Sequence, residues 1–155
     1  MKNFKLNEKD ILSNQDWTFP TTTYYGPGRF NEIAKFCEEF DIKNPLIVTD
    51  SGSKDLPFIK KLIALLSKNN IKSDLFYNIS PNPRDDEISK GCDQFKNGSH
   101  DSIIAIGGGS AMDGGKSICL TVNSETPLWD FEFEQPVPKI TKENAFPKII
   151  TVPTT

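Results

Sequence analysis

The run Ile103-Ile104-Ala105-Ile106-Gly107-Gly108-Gly109-Ser110-Ala111-Met112-Asp113-Gly114-Gly115-Lys116 constrains this chain more than any other segment. Four apolar residues predict a short buried strand, three glycines a turn, and Ser110 the start of a helix. That order sets bare backbone N–H groups at the positive end of a helix, just beyond the carboxyl end of a strand. Unpaired amides and the helix dipole both favour an anion there, so Gly107, Gly108, Gly109 and Ser110 read as a cradle for a nucleotide phosphate. Three adjacent glycines carry more backbone entropy than a tight turn needs, and they clear side chains from the approach of a phosphate. Ser110 and Asp113 stand three apart, the spacing at which an N-cap hydroxyl and an N3 carboxylate share the helix-start donors.

Two better-known glycine patterns fit poorly. Met112 occupies the sixth position of G-x-G-x-x-G, which excludes that fingerprint as written. Gly115-Lys116-Ser117 matches the end of a P-loop, but Ser110 stands where its first glycine belongs, and the pair lies well inside the predicted helix.

The rest of the chain repeats the strand-then-helix order. Trp17 to Tyr25 is rich in β-formers, with Pro20 restricting it to an edge or two short pieces. A helix with Phe30, Ile33, Ala34, Cys37 and Phe40 follows, then a strand at Leu46–Thr49 ending on Asp50. A second helix carries Leu56, Ile59, Leu62, Ile63 and Leu66; a strand spans Asp74 to Ile79; and Pro81-Asn82-Pro83 makes a stiff turn. The next helix carries Ile88, Cys92 and Phe95, and beyond the glycines a helix runs from about Ser110 to Val122. Residues 124–147 read as irregular, and Lys148–Val152 as a last strand before Pro153-Thr154-Thr155. Strands that are continuous apolar runs, alternating with helices, predict an α/β fold: a Rossmann-like, mostly parallel sheet with helices on both faces. Right-handed crossovers then bring Asp50, the Pro81-Asn82-Pro83 turn, Gly107–Ser110 and Thr154 to one rim of the sheet, where ligands of such folds bind. Residues 1–16 read as a flexible leader and 17–155 as one domain.

Composition excludes several classes. A net charge of -3 offers no footprint for nucleic acid. No apolar stretch approaches the roughly 20 residues of a membrane helix, and MKNFKLNEKD lacks the apolar core of a signal peptide, so a cytoplasmic protein is expected. Cys37, Cys92 and Cys119 fall among apolar helix positions without CxxC spacing, as small buried thiols do. His100, the one histidine, is expected in a solvent-exposed loop, and no multi-histidine metal spacing exists.

Asp50, ending a strand ahead of Ser51-Gly52-Ser53, is placed to accept both hydroxyls of an adenosine ribose and to repel a 2′-phosphate, favouring NAD over NADP. Its bland alternative is a loop or helix-capping aspartate. Lys116 reads equally as a solvated side chain or as part of the pocket's charge. Trp129, Phe131 and Phe133 alternate, as cover for a sheet edge would.

Together these blocks resemble the iron-containing (group III) alcohol dehydrogenase family. The resemblance runs from Tyr24-Tyr25-Gly26-Pro27-Gly28 through Leu46-Ile47-Val48-Thr49-Asp50, Pro81-Asn82-Pro83 and the Gly107–Lys116 block to Ile150-Thr151-Val152-Pro153-Thr154-Thr155. It implies that Asp50 binds the adenosine ribose and that Asn82 lies near the cofactor. It further implies that Gly108, Gly109 and Ser110 hold the pyrophosphate, that Asp113 supports that loop, and that Thr154 opens a second cofactor-contacting loop. The reaction implied is hydride transfer between NAD(P) and an alcohol or aldehyde, with iron or zinc as Lewis acid. The family's aspartate and three histidine metal ligands belong to a helical domain beyond the Thr155 position, so no catalytic or metal-binding residue carries over, and the chain alone is expected to be inactive. Arg84 stands where a small hydroxyl residue often follows the Pro-Asn-Pro turn. A non-catalytic nucleotide-binding module, a truncation product and a glycerol-dehydrogenase-like relative are the alternatives. The N-terminal edge strand offers a pairing surface for a second copy, as in a homodimer.

Overall fold

The computed structural model describes residues 15–18, 21–132, 134, 136, 138, 141 and 145–155. The leader through residue 14, and Phe133 of the aromatic triplet, lie outside them. Strands β1 (Gln15–Thr18) and β2 (Thr22–Tyr25) pair antiparallel as a separate two-stranded sheet, the two short pieces expected around Pro20. A 3₁₀ turn at Arg29–Glu32 leads into α1 (Ile33–Glu39). Then β3 (Pro45–Asp50), α2 (Pro57–Lys68), β4 (Asp74–Ile79), α3 (Asp85–Asn97), β5 (Ser102–Gly107) and α4 (Gly109–Thr121) alternate. A second 3₁₀ turn at Leu128–Phe131 precedes β6 (Lys148–Pro153).

The four strands of the main sheet are parallel in the order β4-β3-β5-β6. From β3 the chain crosses to β4 on one side and then returns to β5 on the other. The carboxyl ends of β3 and β5 therefore flank the point where the winding reverses. The two faces of the sheet bury different residues. Leu46, Val48, Ile103 and Ala105 pack with Ile88, Phe95, Met112 and Ile118 of α3 and α4. Ile47, Ile104 and Ile106 pack with Ile33, Cys37, Ile59, Leu62 and Leu66 of α1 and α2. Two-sided burial is the reason Leu46–Val48 and Ile103–Ile106 are continuous apolar runs instead of alternating. The strand pair β3–β4 slips between Val48 and Asp50, so that Asp50 comes opposite Ile79.

Glycines let α4 lie close on the sheet. A Cβ on Gly115 would sit 2.5 Å from the Ala105 Cβ, and one on Gly114 would sit 2.8 Å from Ile79. Both are helix-packing glycines inside α4, Gly115 included, although with Lys116 and Ser117 it imitates the end of a P-loop in the sequence. Gly91 plays the same part in α3, where an added Cβ would meet Ile118 at 2.3 Å.

His100 corrects an expectation. It is buried, 6% exposed, with Nδ1 3.0 Å from the Asn44 carbonyl oxygen and Nε2 3.3 Å from an Asp74 carboxylate oxygen. The loop itself is at the surface, but it folds back so that the ring packs on Phe95 and over Gly98. Around it Asn44 donates to the Gly98 and Ser99 carbonyls, and Asp101 accepts the Lys43 and Asn44 amides. This polar knot closes the amino-terminal end of the sheet.

Gly115→Ala is expected to lower stability by about 1–3 kcal/mol through overpacking, seen as a lower urea midpoint at unchanged slope. Gly109→Ala, with nothing within 4 Å of the added Cβ, should stay within about 0.5 kcal/mol. Equal losses at the two positions would show that contact with Ala105 is not the reason for Gly115.

Candidate functional site

The carboxyl rim of the sheet gathers the loops that follow β3, β4, β5 and β6. Gly107 ends β5 with φ 143°, a conformation that strains any L side chain, and an added Cβ would meet Ala111 at 2.8 Å and an Asp50 carboxylate oxygen at 3.2 Å. Asp50 and the glycine turn are therefore direct neighbours. Thr49, one residue earlier, is buried and donates its hydroxyl to the Ile106 carbonyl at 2.8 Å, which locks β3 to β5 at the rim. The Thr154 amide donates to the Gly107 carbonyl at 3.0 Å, bringing the end of β6 to the same turn. Across the turn, the Ser110 hydroxyl donates to the Pro81 carbonyl at 2.6 Å and ties the Pro-Asn-Pro turn to the start of α4. Asp50, Asn82, Gly107, Gly108, Gly109, Ser110 and Thr154 thus belong to one cluster of loops.

Helix α4 starts at Gly109 with Gly108 as its N-cap, and the Met112 amide makes its first internal bond, to the Gly108 carbonyl at 3.1 Å. Ser110 is consequently not the N-cap, and the expected Ser110–Asp113 capping box does not form. The three glycines move the N-cap two residues earlier, to Gly108, and the hydroxyl of Ser110 is drawn to Pro81 instead. Asp113 lies one turn into α4 and is exposed. The amides of Gly109, Ser110 and Ala111 precede the first helical bond, so they lack intrahelical acceptors and meet the positive end of the dipole. Beyond Gly109 the space is open, and Gly108 has only a Thr155 methyl at 3.8 Å from its would-be Cβ. A phosphate has both donors and room at this place.

Asp50 is half-buried and already engaged by its own loop. One carboxylate oxygen accepts the Gly52 amide at 3.0 Å and the other accepts the Ser53 hydroxyl at 2.8 Å. Asn82 is exposed, and its carbonyl accepts the Ser80 hydroxyl at 2.7 Å. Arg84 directs its guanidinium to Asp86 at 2.8 Å, with another of its nitrogens 3.7 Å from a Glu87 carboxylate oxygen. Trp129 is 69% exposed and donates to Asp85 at 3.4 Å, so it does not cover the sheet edge; Leu128 packs on the core in its place. Lys116 is exposed on α4.

A residue not anticipated from the sequence organises this side of the rim. Glu87 is buried at the third position of α3, and one of its carboxylate oxygens accepts the Ser80 amide (3.1 Å), the Ser80 hydroxyl (3.0 Å) and the Arg84 amide (3.2 Å). Burial pushes its carboxyl upward, but these hydrogen bonds and the Arg84 charge outweigh it and hold it below its ordinary value of 4.5. The signal was the spacing from Arg84 to Glu87, obscured because an arginine at the N-cap does not look like a capping box. The cysteines are free, and burial pushes the thiols of Cys37 and Cys119 up to about 11. Among the described residues no group of three His, Cys, Asp or Glu is arranged to hold a metal ion, and no helix is long and apolar enough to cross a membrane.

The stability that Glu87 contributes should be complete above pH 4.5 and fade as pH falls through the lower folded-state value. Urea unfolding of wild type and Glu87→Gln is expected to differ by about 1–3 kcal/mol near neutrality, with the gap closing in acid. A gap independent of pH would mean that the charge on Glu87 is not what holds the turn.

Comparison with known proteins points the same way. The sequence profile described as iron-containing alcohol dehydrogenase matches residues 20–155. The 1,3-propanediol dehydrogenase of Klebsiella pneumoniae is 28% identical over 142 residues, 90% of this chain and 35% of its own. The crystal structure of a 1,3-propanediol oxidoreductase superposes with a TM-score of 0.75 at 28% identity, over 84% of this chain and 33% of that one. Sulfoacetaldehyde reductase from Bifidobacterium kashiwanohense, solved in complex with NAD+, gives 0.70 at 25% identity, over 84% and 33%. The chain spans about a third of the length of these relatives.

Proposed function

The chain belongs to the iron-containing alcohol dehydrogenase family, and we propose that it forms the cofactor-binding part of an oxidoreductase that moves a hydride between a nicotinamide dinucleotide and a small alcohol or aldehyde. The observation that carries this reading is the convergence of Asp50, the Pro81-Asn82 turn, Gly107–Ser110 and Thr154 at the reversal point of a parallel sheet. The amides of Gly109 and Ser110 would hold the pyrophosphate, and Asp50 the adenosine ribose. Asn82 and Thr154 would bound the cleft, and Asp113 would support the start of α4. A carboxylate at Asp50 disfavours a 2′-phosphate, so NAD is the preferred dinucleotide. When bound, the nicotinamide supplies the hydride chemistry; the residues described here bind and orient.

The metal that the family's description names does not fit the described residues. They contain no three-residue ligand cluster, and His100 lies at the opposite end of the sheet in the Asn44 knot. No step of the reaction is assigned to a metal in this chain, and no catalytic residue is assigned either. A cytoplasmic setting accords with three free cysteines, and the separate β1–β2 hairpin offers an edge on which a second copy would pair.

Fluorescence titration should show NADH binding to this chain in preference to NADPH, with Asp50→Gly abolishing the preference. The same chain should give no alcohol-dependent formation of NADH. An unchanged preference in Asp50→Gly would refute the ribose assignment, and turnover by the chain alone would refute its restriction to cofactor binding.

A further inference from the structure

We infer that Ser53 is a positioning residue for dinucleotide selectivity, acting through the Asp50 carboxylate; the inference rests on Asp50 being the ribose-binding group. A carboxylate offers about four acceptor positions, two on each oxygen. In this structure one position on each is taken from within the loop: the Gly52 amide at 3.0 Å and the Ser53 hydroxyl at 2.8 Å. One remains on each oxygen, and two adjacent hydroxyls of an unphosphorylated ribose match that pair. A ribose bearing a 2′-phosphate brings one hydroxyl and a multiply charged anion instead.

Selectivity of this kind depends on the carboxylate being unable to turn aside. The Gly52 amide alone leaves it free to rotate about its terminal bond; the second tether, from Ser53, removes that freedom. Ser53 is itself held: its amide donates to the Asp50 carbonyl at 3.1 Å, and its carbonyl accepts the Leu56 amide at 3.0 Å. The Ser51 amide donates to the Ile79 carbonyl at 3.1 Å, which anchors the loop to β4 beside the slipped register. Lys54, the cation of the same loop, lies over the Tyr77 ring at 4.8 Å. Its charge is turned to an aromatic face instead of toward a position that would welcome a 2′-phosphate.

The test compares NADH and NADPH affinities by fluorescence titration of the full chain in wild type, Ser53→Ala, Ser53→Thr and Asp50→Gly. Ser53→Ala should weaken NADH binding about tenfold while NADPH binding stays within about twofold, and Ser53→Thr should restore the wild-type ratio. Thermal unfolding of each variant separates a lost preference from a lost fold, because general loosening would weaken both cofactors alike. A ratio unchanged in Ser53→Ala but collapsed in Asp50→Gly overturns the role of Ser53 and leaves the ribose assignment standing. A ratio unchanged in both variants overturns the two together.

Discussion

Helix α4 lies close on β5 because only the Ala105 methyl stands between the strand and Gly115. The height of the helix above the sheet is set there, and with it the place where the helix begins. A start at Gly109 leaves three amides beyond the last carbonyl of β5, and the left-handed Gly107 is the one residue that makes so short a passage from strand to helix. Everything else at the rim is arranged around that start. Thr154 and Pro81 are each joined by a hydrogen bond to the turn or to the first residues of α4, and Asp50 packs against Gly107.

The polar groups around the turn are preorganised by neighbours that do not face it. Glu87 gathers the amides of Ser80 and Arg84, so the Pro-Asn-Pro turn has its shape before anything binds. The loop after β3 orients its own carboxylate through Gly52 and Ser53. A rim built in this way would lose little conformational entropy on binding an anion, since the groups it needs are already ordered.

The architecture was legible in the sequence because its causes are local. Apolar runs such as Leu46–Val48 and Ile103–Ile106 announce strands buried on both faces, and the glycines announce the turn between strand and helix. Residues whose roles depend on partners distant in the chain were not legible. His100 sits in a loop of polar residues, and only Asn44 and Asp74, brought in by two other strands, make it a buried ring. The oxygen of the Ser110 hydroxyl had plausible local donors in the helix-start amides, but the hydroxyl donates to the Pro81 carbonyl, 29 positions away. Glu87 lacked a recognisable capping partner, and the alternation of Trp129 with Phe131 and Phe133 gave no sign of Asp85, 44 positions away, to which the Trp129 indole donates.

The knot formed by Asn44, Asp101 and His100 lies at the end of the sheet away from the loops that converge on Gly107. It joins the starts of β3 and β5 through their own main chains, while the candidate site draws on their far ends. A domain divided in this way is modular along its strand axis. Loops on one rim are open to exchange for other lengths and chemistries while the opposite rim keeps the strands in register. One scaffold of this kind can therefore carry a range of substrate specificities without being refolded for each.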